Sequence, residues 1–270
     1  MVPSYVILEK HIGQTPLQAI EAWKHAYPAY ASLPASYAGR LDPMASGKLL
    51  VLIGEECKNQ ERYRGLDKEY EIEVLLDLSS DTGDVLGLPT YAGTVTEPGE
   101  SIIKKALKAV TGAVVVPYPA FSSKTVDGKP LFHYALMGML DSITLPIHQE
   151  TIYRVEYLGM RRVEGVFLQK EVMEILSHAP RTDELSKALG ADFRQDEIRS
   201  SWQELLPRLS DQEFTLLKLR VSCASGTYMR TLAERIGNHL GTRGMALSIR
   251  RTRIGRYHNL PFWGLWSRRY

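Results

Sequence analysis

The chain has 270 residues, 33 Lys and Arg against 31 Asp and Glu, 44% hydrophobic residues and two cysteines. That size and balance fit a globular protein of one large domain or two small ones, long enough to bury a substantial core. Cys57 and Cys223 lie far apart without C-x-x-C spacing, which argues against a disulfide framework and a zinc site and suits a reducing, cytoplasmic setting. The opening MVPSYVILEKHIG is no secretory signal, and no stretch reaches the roughly 18 apolar residues of a membrane span.

In chain order, Thr15-Pro16-Leu17-Gln18 reads as a helix start, with Thr15 at the N-cap, Pro16 at the first helical position and Gln18 completing a capping box. Leu17, Ile20, Trp23 and Tyr27 are expected on one face. Pro28 and Pro34 bracket a loop. The stretch YAGRLDPMASG, Tyr37 to Gly47, follows and leads into an apolar strand ending at Ile53. Tyr70, Ile72, Val74, Leu76 and Leu78 alternate with mostly polar residues, the period of a half-buried strand, which places Tyr70 on the inward face. A loop over Ser79–Gly87 and a short amphipathic helix over Ser101–Val110 come next. Asp127-Gly128 is a strong hairpin signal.

Thr151–Gln169 alternates as one or two strands. Val172–Leu209 is richer in charge, and Leu185, Leu189, Ile198, Trp202 and Leu205 suggest two or three short helices packed on the main body. Leu217, Leu219, Val221 and Cys223 return to strand spacing. Thr227 is expected to cap a helix on which Tyr228, Leu232, Ile236 and Leu240 share a face, closed by Gly241. The mixture of strands, helices and hairpin signals gives an α+β or mixed class.

The net charge of +2 says little about partners, but its distribution says more. From Gly241 to Tyr270 there are seven arginines and no acid, interleaved with Tyr257, Trp263, Trp266 and Tyr270. Arginine mixed with aromatics binds phosphates and stacks on bases, although a solvated basic tail would look the same.

Among motifs, Asp81-Thr82-Gly83 lacks the second acid of an aspartic protease and reads as a turn. No phosphate-binding glycine loop is present, and the seven histidines show no metal-ligand spacing. Asp42 remains, either a turn former before Pro43 or a catalytic carboxylate. An arginine would hold it charged, and Arg230 and Arg40 are the candidates. Tyr70 could stack on a planar substrate or pack in the core.

These segments together resemble the TruB-type tRNA pseudouridine synthases. KHIGQTP (Lys10–Pro16) is similar to the family's N-terminal K-P-x-G-x-T-S, and AGRLDPMASG to A-G-T-L-D-P-x-A-T-G with Asp42 at the aspartate. Lys68-Glu69-Tyr70 matches K-x-Y, and LSSDTGDVLG resembles T-D-T-x-D-x-x-G. PYPAFSSKTVDGKPLFHYA, VSCASGTYMRTLAERIG and SIRRTRIGRY match three further blocks in the family's order.

The resemblance implies a pseudouridine synthase catalytic fold over 1–257, with a mixed, largely antiparallel sheet flanked by helices. A thumb-like RNA-gripping insertion would span about 113–150 and a helical insertion about 172–209. Residues 258–270 would be a short tail, with the family's frequent C-terminal PUA domain expected to be absent. It implies isomerisation of a uridine, foremost uridine 55 in the T-arm of tRNA, without metal, cofactor, membrane or obligatory protein partner. Asp42 would be the catalytic carboxylate, Arg230 its ion-pair partner, and Tyr70 the ring that stacks on the flipped uracil and takes part in proton removal from carbon 5. Tyr37, Arg40, Lys68, Lys124, Lys129, Arg250 and Arg251 would contact RNA.

Two departures stand beside it. Tyr37 replaces the family's histidine and Arg40 its threonine, and GRLD is also the spelling of related ribosomal RNA pseudouridine synthases. The alternatives are therefore the same reaction on another RNA and, in a different class, a tRNA-binding and folding module without essential catalysis.

Overall fold

A computed structural model describes residues 3–93, 97–179, 194–259 and 264–267. Its frame is a mixed sheet that is antiparallel except at one junction. The strands are β1 (Tyr5–Lys10), β2 (Ala35–Tyr37), β3 (Ala45–Ile53), β4 (Asp67–Leu76), β7 (Gly112–Pro117), β10 (Ile147–Glu164), β11 (Glu213–Cys223), β12 (Gly244–Asn259) and β13 (Gly264–Ser267). The path runs β1-β3-β12-β4-β11-β10-β7, with β2 beside β3 and β13 beside β12. Among the named strands of the described residues, β12 and β3 are the pair that runs parallel. Two short hairpins lie off the sheet: β5 (Leu78–Ser80) with β6 (Pro89–Tyr91), and β8 (Thr125–Val126) with β9 (Lys129–Pro130) around Asp127-Gly128. The α+β reading holds.

Period-two patterning decides what each face meets. Tyr70, Ile72, Val74 and Leu76 of β4, with Leu217, Leu219, Val221 and Cys223 of β11, form one core under the helix Met229–His239 and the helix Glu100–Ala109. The opposite face carries Glu69, Glu71 and Glu73. At its far end Leu75, Phe214, Leu216 and Met245 are covered by the helix Gly165–Ser177 and the helix Gln195–Leu205, whose Trp202 is fully buried. The charge-rich segment is therefore packed on the main body, although Leu185 and Leu189 fall outside the described residues.

Several expectations change. The capping box of Pro16–Ala26 forms, but Leu17 and Tyr27 are exposed; Ala19 and Ile20 pack on Leu49 and Val51, which turns the apolar face by about one position. The strand β10 ends at Glu164 and a helix begins at Gly165, where a strand to Gln169 was expected. Leu78 does not continue β4: Asp77 adopts φ +70 and the chain turns into a new strand. Thr227 is not a cap. Its Oγ1 donates to the Ala224 carbonyl at 3.1 Å, and Tyr228 holds the N-cap position. Much of the arginine-rich C-terminal region is the strand β12, at the middle of the sheet rather than a solvated tail. Trp263, Arg268, Arg269 and Tyr270 lie outside the described residues.

Candidate active site

The YAGRLDPMASG stretch links β2 to β3 and is anchored at nearly every step. The Ala38 N–H donates to Leu50 O at 2.8 Å, the Gly13 N–H to Pro43 O at 2.9 Å, and the Ala45 N–H to Asp42 O at 3.0 Å. Lys10, fully buried, donates from Nζ to the carbonyls of His11 (2.9 Å), Gln14 (2.7 Å) and Pro43 (3.1 Å). Burial lowers its amine to about 8, against the opposing pull of Asp42. Arg251 donates from Nε to Lys48 O at 2.7 Å and from Nη1 to Arg40 O at 3.2 Å. Gly47, at φ +103, lets β3 approach β12: a Cβ there would stand 2.3 Å from the Arg251 carbonyl oxygen. Two buried cations thus fix a short loop whose one acid faces a cleft of about 850 Å³.

Arg230, on the first turn of Met229–His239, reaches that acid. Its Nε donates to Asp42 Oδ2 at 2.9 Å, its Nη1 to Thr82 O at 2.7 Å and its Nη2 to Phe121 O at 3.1 Å. The Arg230 side chain is 6% exposed and that of Asp42 44%, so the base of the pair is dry and the carboxylate opens to the cleft. Asp84 Oδ2 lies 3.9 Å from Arg230 Nε. Burial works to lower the arginine's pKa, and the charges of Asp42 and Asp84 overcome it and leave it raised. Burial pushes the Asp84 carboxyl up, partly offset by Arg230. A planar guanidinium meets these three acceptors from three separate nitrogens held in one plane, where an ammonium would have to reach them all from a single nitrogen.

The Asp81-Thr82-Gly83 turn is therefore a wall of the site, supplying the Thr82 carbonyl. Gly83, at φ +80, packs directly on Arg230. Tyr70, opposite Val221 on β11 and Arg251 on β12, lines the cleft with its ring largely buried. Burial raises its phenol to about 12, while the neighbouring Arg251 acts in the lowering direction.

The remaining residues singled out from sequence divide. Tyr37 and Arg40 line the cleft, Arg40 at its exposed rim. Lys68 and Arg251 also border it, but neither is disposed to hold a phosphate. Lys68 is buried, and its Nζ donates to Arg64 O (3.0 Å), Leu66 O (2.5 Å) and Ser225 Oγ (2.9 Å). Arg251 is 1% exposed and gives its Nε and Nη1 to backbone carbonyls. Their charges hold the active-site loop and the strand ends, because a buried cation needs acceptors that protein backbone supplies nearby. Arg250 points the other way and pairs with Glu9 at 3.1 Å. Lys124 and Lys129 are exposed on the β8–β9 hairpin, outside the cleft lining. Sequence reasoning missed Asp84, Lys10 and the two carbonyls that receive Arg230; a backbone acceptor leaves no trace in residue type.

The family model for "TruB family pseudouridylate synthase (N terminal domain)" matches residues 31–172. A tRNA pseudouridine synthase B of Aromatoleum aromaticum is 30% identical over 259 residues, covering 96% of this chain and 65% of that protein. One from Psychrobacter cryohalolentis is 27% identical over 256 residues, covering 94% and 56%. The chain thus spans less than two thirds of the length of these curated relatives. In fold it is similar to a chain of a Cbf5-Nop10-Gar1 complex (TM-score 0.54, 18% identity, 93% of this chain and 48% of that one). It is also similar to one of an H/ACA RNP bound to a substrate RNA containing 2'-deoxyuridine (TM-score 0.51, 16% identity, 93% and 47%).

Proposed function

This chain belongs to the TruB family of pseudouridylate synthases, and from that membership we propose that it isomerises uridine to pseudouridine in RNA, foremost uridine 55 of the tRNA T-arm. The observation that carries the reading is the Asp42–Arg230 pair: a carboxylate open to a cleft that Tyr70 also lines, held at 2.9 Å by a buried arginine. The relatives named as tRNA pseudouridine synthases support tRNA as the substrate.

In this reaction the N1–C1′ bond breaks, uracil turns, and a C5–C1′ bond forms; C5 gives up a proton and N1 ends with one, so no atom is lost. Asp42 is the nucleophile, on the sugar or on the base. Arg230 fixes its direction and charge before substrate arrives, which is where a preorganised ion pair contributes most. The uridine must leave its stack, at a cost of a few kcal/mol, and the Tyr70 ring offsets part of that by stacking. As its phenolate Tyr70 also takes the C5 proton, the phenolic proton it gives up being the one that N1 ends with. Its burial opposes loss of the phenolic proton, and Arg251 against it favours that loss. Tyr37 in the cleft lining and Arg40 at its rim meet the nucleotides beside the target, and Lys124 and Lys129 on the exposed hairpin grip the RNA backbone, fixing position without reading sequence. No metal or cofactor enters this scheme.

The pair Tyr37 and Arg40 favours one second reading, the same reaction on a different RNA. Pseudouridine mapping by carbodiimide and primer extension on unmodified tRNA transcript separates the cases. A stop at position 55 with the wild type and none with Asp42→Asn supports the proposal. A stop only in total RNA moves the target. Intact RNA binding without any stop favours a tRNA-binding and folding module.

A further inference from the structure

The charge-rich segment has no part in the reaction proposed above, yet it delivers a side chain to the cleft. Its helix Gln195–Leu205 is docked by the buried Trp202, whose indole N–H donates to Val85 O at 3.1 Å. The residue before that helix, Arg194, stands at φ +52, a conformation that side chains with a Cβ seldom adopt. From there the guanidinium reaches the cleft lining. Nη2 meets Asp81 Oδ2 at 2.9 Å, and Cζ lies over the Phe121 ring, 4.6 Å from its centroid. Phe121 is the residue whose carbonyl accepts from Arg230 at 3.1 Å. It is held twice, by its ring through Arg194 and by its carbonyl through Arg230.

We propose that Arg194 is a positioning residue, with which this segment clasps Phe121 against the Asp81 loop and so fixes the third anchor of the Asp42–Arg230 pair. The inference rests on reading the cleft as a pseudouridine synthase site. Arginine suits the task because one guanidinium offers a flat face to an aromatic ring and N–H edges to a carboxylate at once. Without the clasp the Phe121 ring is released, its carbonyl draws away from Nη2, and Arg230 holds Asp42 with only the Thr82 carbonyl and the Asp84 charge behind it. The rate of the chemical step then falls, while surfaces that grip RNA outside the cleft are unchanged.

The test compares wild type, Arg194→Ala, Arg194→Lys, Phe121→Ala and the Arg194→Ala/Phe121→Ala pair. Three readouts are taken: the single-turnover rate on unmodified tRNA transcript, the transcript's Kd, and hydrogen exchange of the RNA-free protein around Phe121. A cation–aromatic contact predicts that Arg194→Ala lowers the rate at saturating RNA by between about twofold and thirtyfold. The Kd should stay within about twofold, and the amides around Phe121 should exchange faster. Phe121→Ala should do the same, the pair should be no worse than the poorer single variant, and Arg194→Lys should recover part of the rate.

Three results overturn the clasp. One is unchanged exchange and rate in Arg194→Ala. Another is rate losses that add in the double variant. The third is a weakened Kd whose salt slope drops by about one while the saturated rate stays, which would make Arg194 a direct phosphate contact. If Arg194→Ala does not fold, Arg194→Lys and Phe121→Ala decide. If the wild type forms no pseudouridine, the functional reading fails, and hydrogen exchange still decides the clasp.

Discussion

Asp42 and Arg230 stand 188 residues apart along the chain and 2.9 Å apart in space. Asp-Pro in a tight turn is ordinary, and an arginine on a helix's first turn is usually solvated. Their meeting, on a dry base and an open carboxylate, makes Asp42 the candidate nucleophile. Asp42→Asn is expected to lower pseudouridine formation by at least about 10³-fold while RNA binding persists, read by mapping and filter binding. Arg230→Leu leaves Thr82 O, Phe121 O and the buried Asp84 without their partner. It is expected to cost about 3–5 kcal/mol in urea unfolding, the scale for breaking a buried charged network. For Tyr70→Phe the ring still stacks but the proton acceptor is gone. Its rate should fall by about 10²-fold or more with RNA affinity retained, the range for loss of one general base.

At the scale of elements, local chemistry was readable where neighbours in sequence do the work. The capping box at Thr15, the Asp-Gly hairpin and the period-two strands need only adjacent residues. Side chains meeting distant backbone were not. Gly47 looks like a flexible point in a loop-to-strand transition; in the structure it is the contact between β3 and β12, with φ +103 and the Arg251 carbonyl in the way of any Cβ. Gly47→Ala is expected to destabilise by about 2 kcal/mol or more in a denaturant titration, combining strain and strand separation. The polar face of β4 is a network of ion pairs: Glu71 meets Arg220 at 2.8 Å and Glu73 meets Arg161 at 3.0 Å, itself bidentate to Glu171. These pairs are half exposed, so each contributes at most about 1 kcal/mol.

At the scale of the whole molecule, charge and burial set a pH signature. Burial carries Lys10 and Lys68 down to about 8 from 10.5. Between those values the unfolded chain holds a proton that the folded chain has released, so these two groups make unfolding harder as pH climbs from about 8 to about 10.5, and their penalty is complete below about 8. Cys223 acts in reverse. Burial raises its thiol to about 12 from 9.0, the folded state keeps a proton that the unfolded chain sheds, and its contribution fades above about pH 9. Urea unfolding from pH 7.5 to 10.5 should therefore show a shallower rise for Lys68→Met than for wild type, and a steeper one for Cys223→Ala. The C-terminal arginines belong to this scale too. Arg250 and Arg253 pair with Glu9 and Glu69, and Arg251 is buried, so three charges of the positive run in the sequence are held within the sheet it enters.

The α+β class, the order of motif blocks and the candidacy of Asp42, Tyr70 and Arg230 are legible along the chain, because patterning, caps and short motifs are properties of neighbouring residues. Which cations face the cleft and which give themselves to backbone carbonyls depends on the folded packing. Lys68 and Arg251 carry the residue types of phosphate binders, and burial among acceptors turned them into scaffold. The folded packing also decides that an arginine from a segment with no visible motif, Arg194, arrives beside Phe121, since that juxtaposition depends on where Trp202 packs. Long-range packing places side chains by filling volume and satisfying buried polar groups, and no local pattern records it.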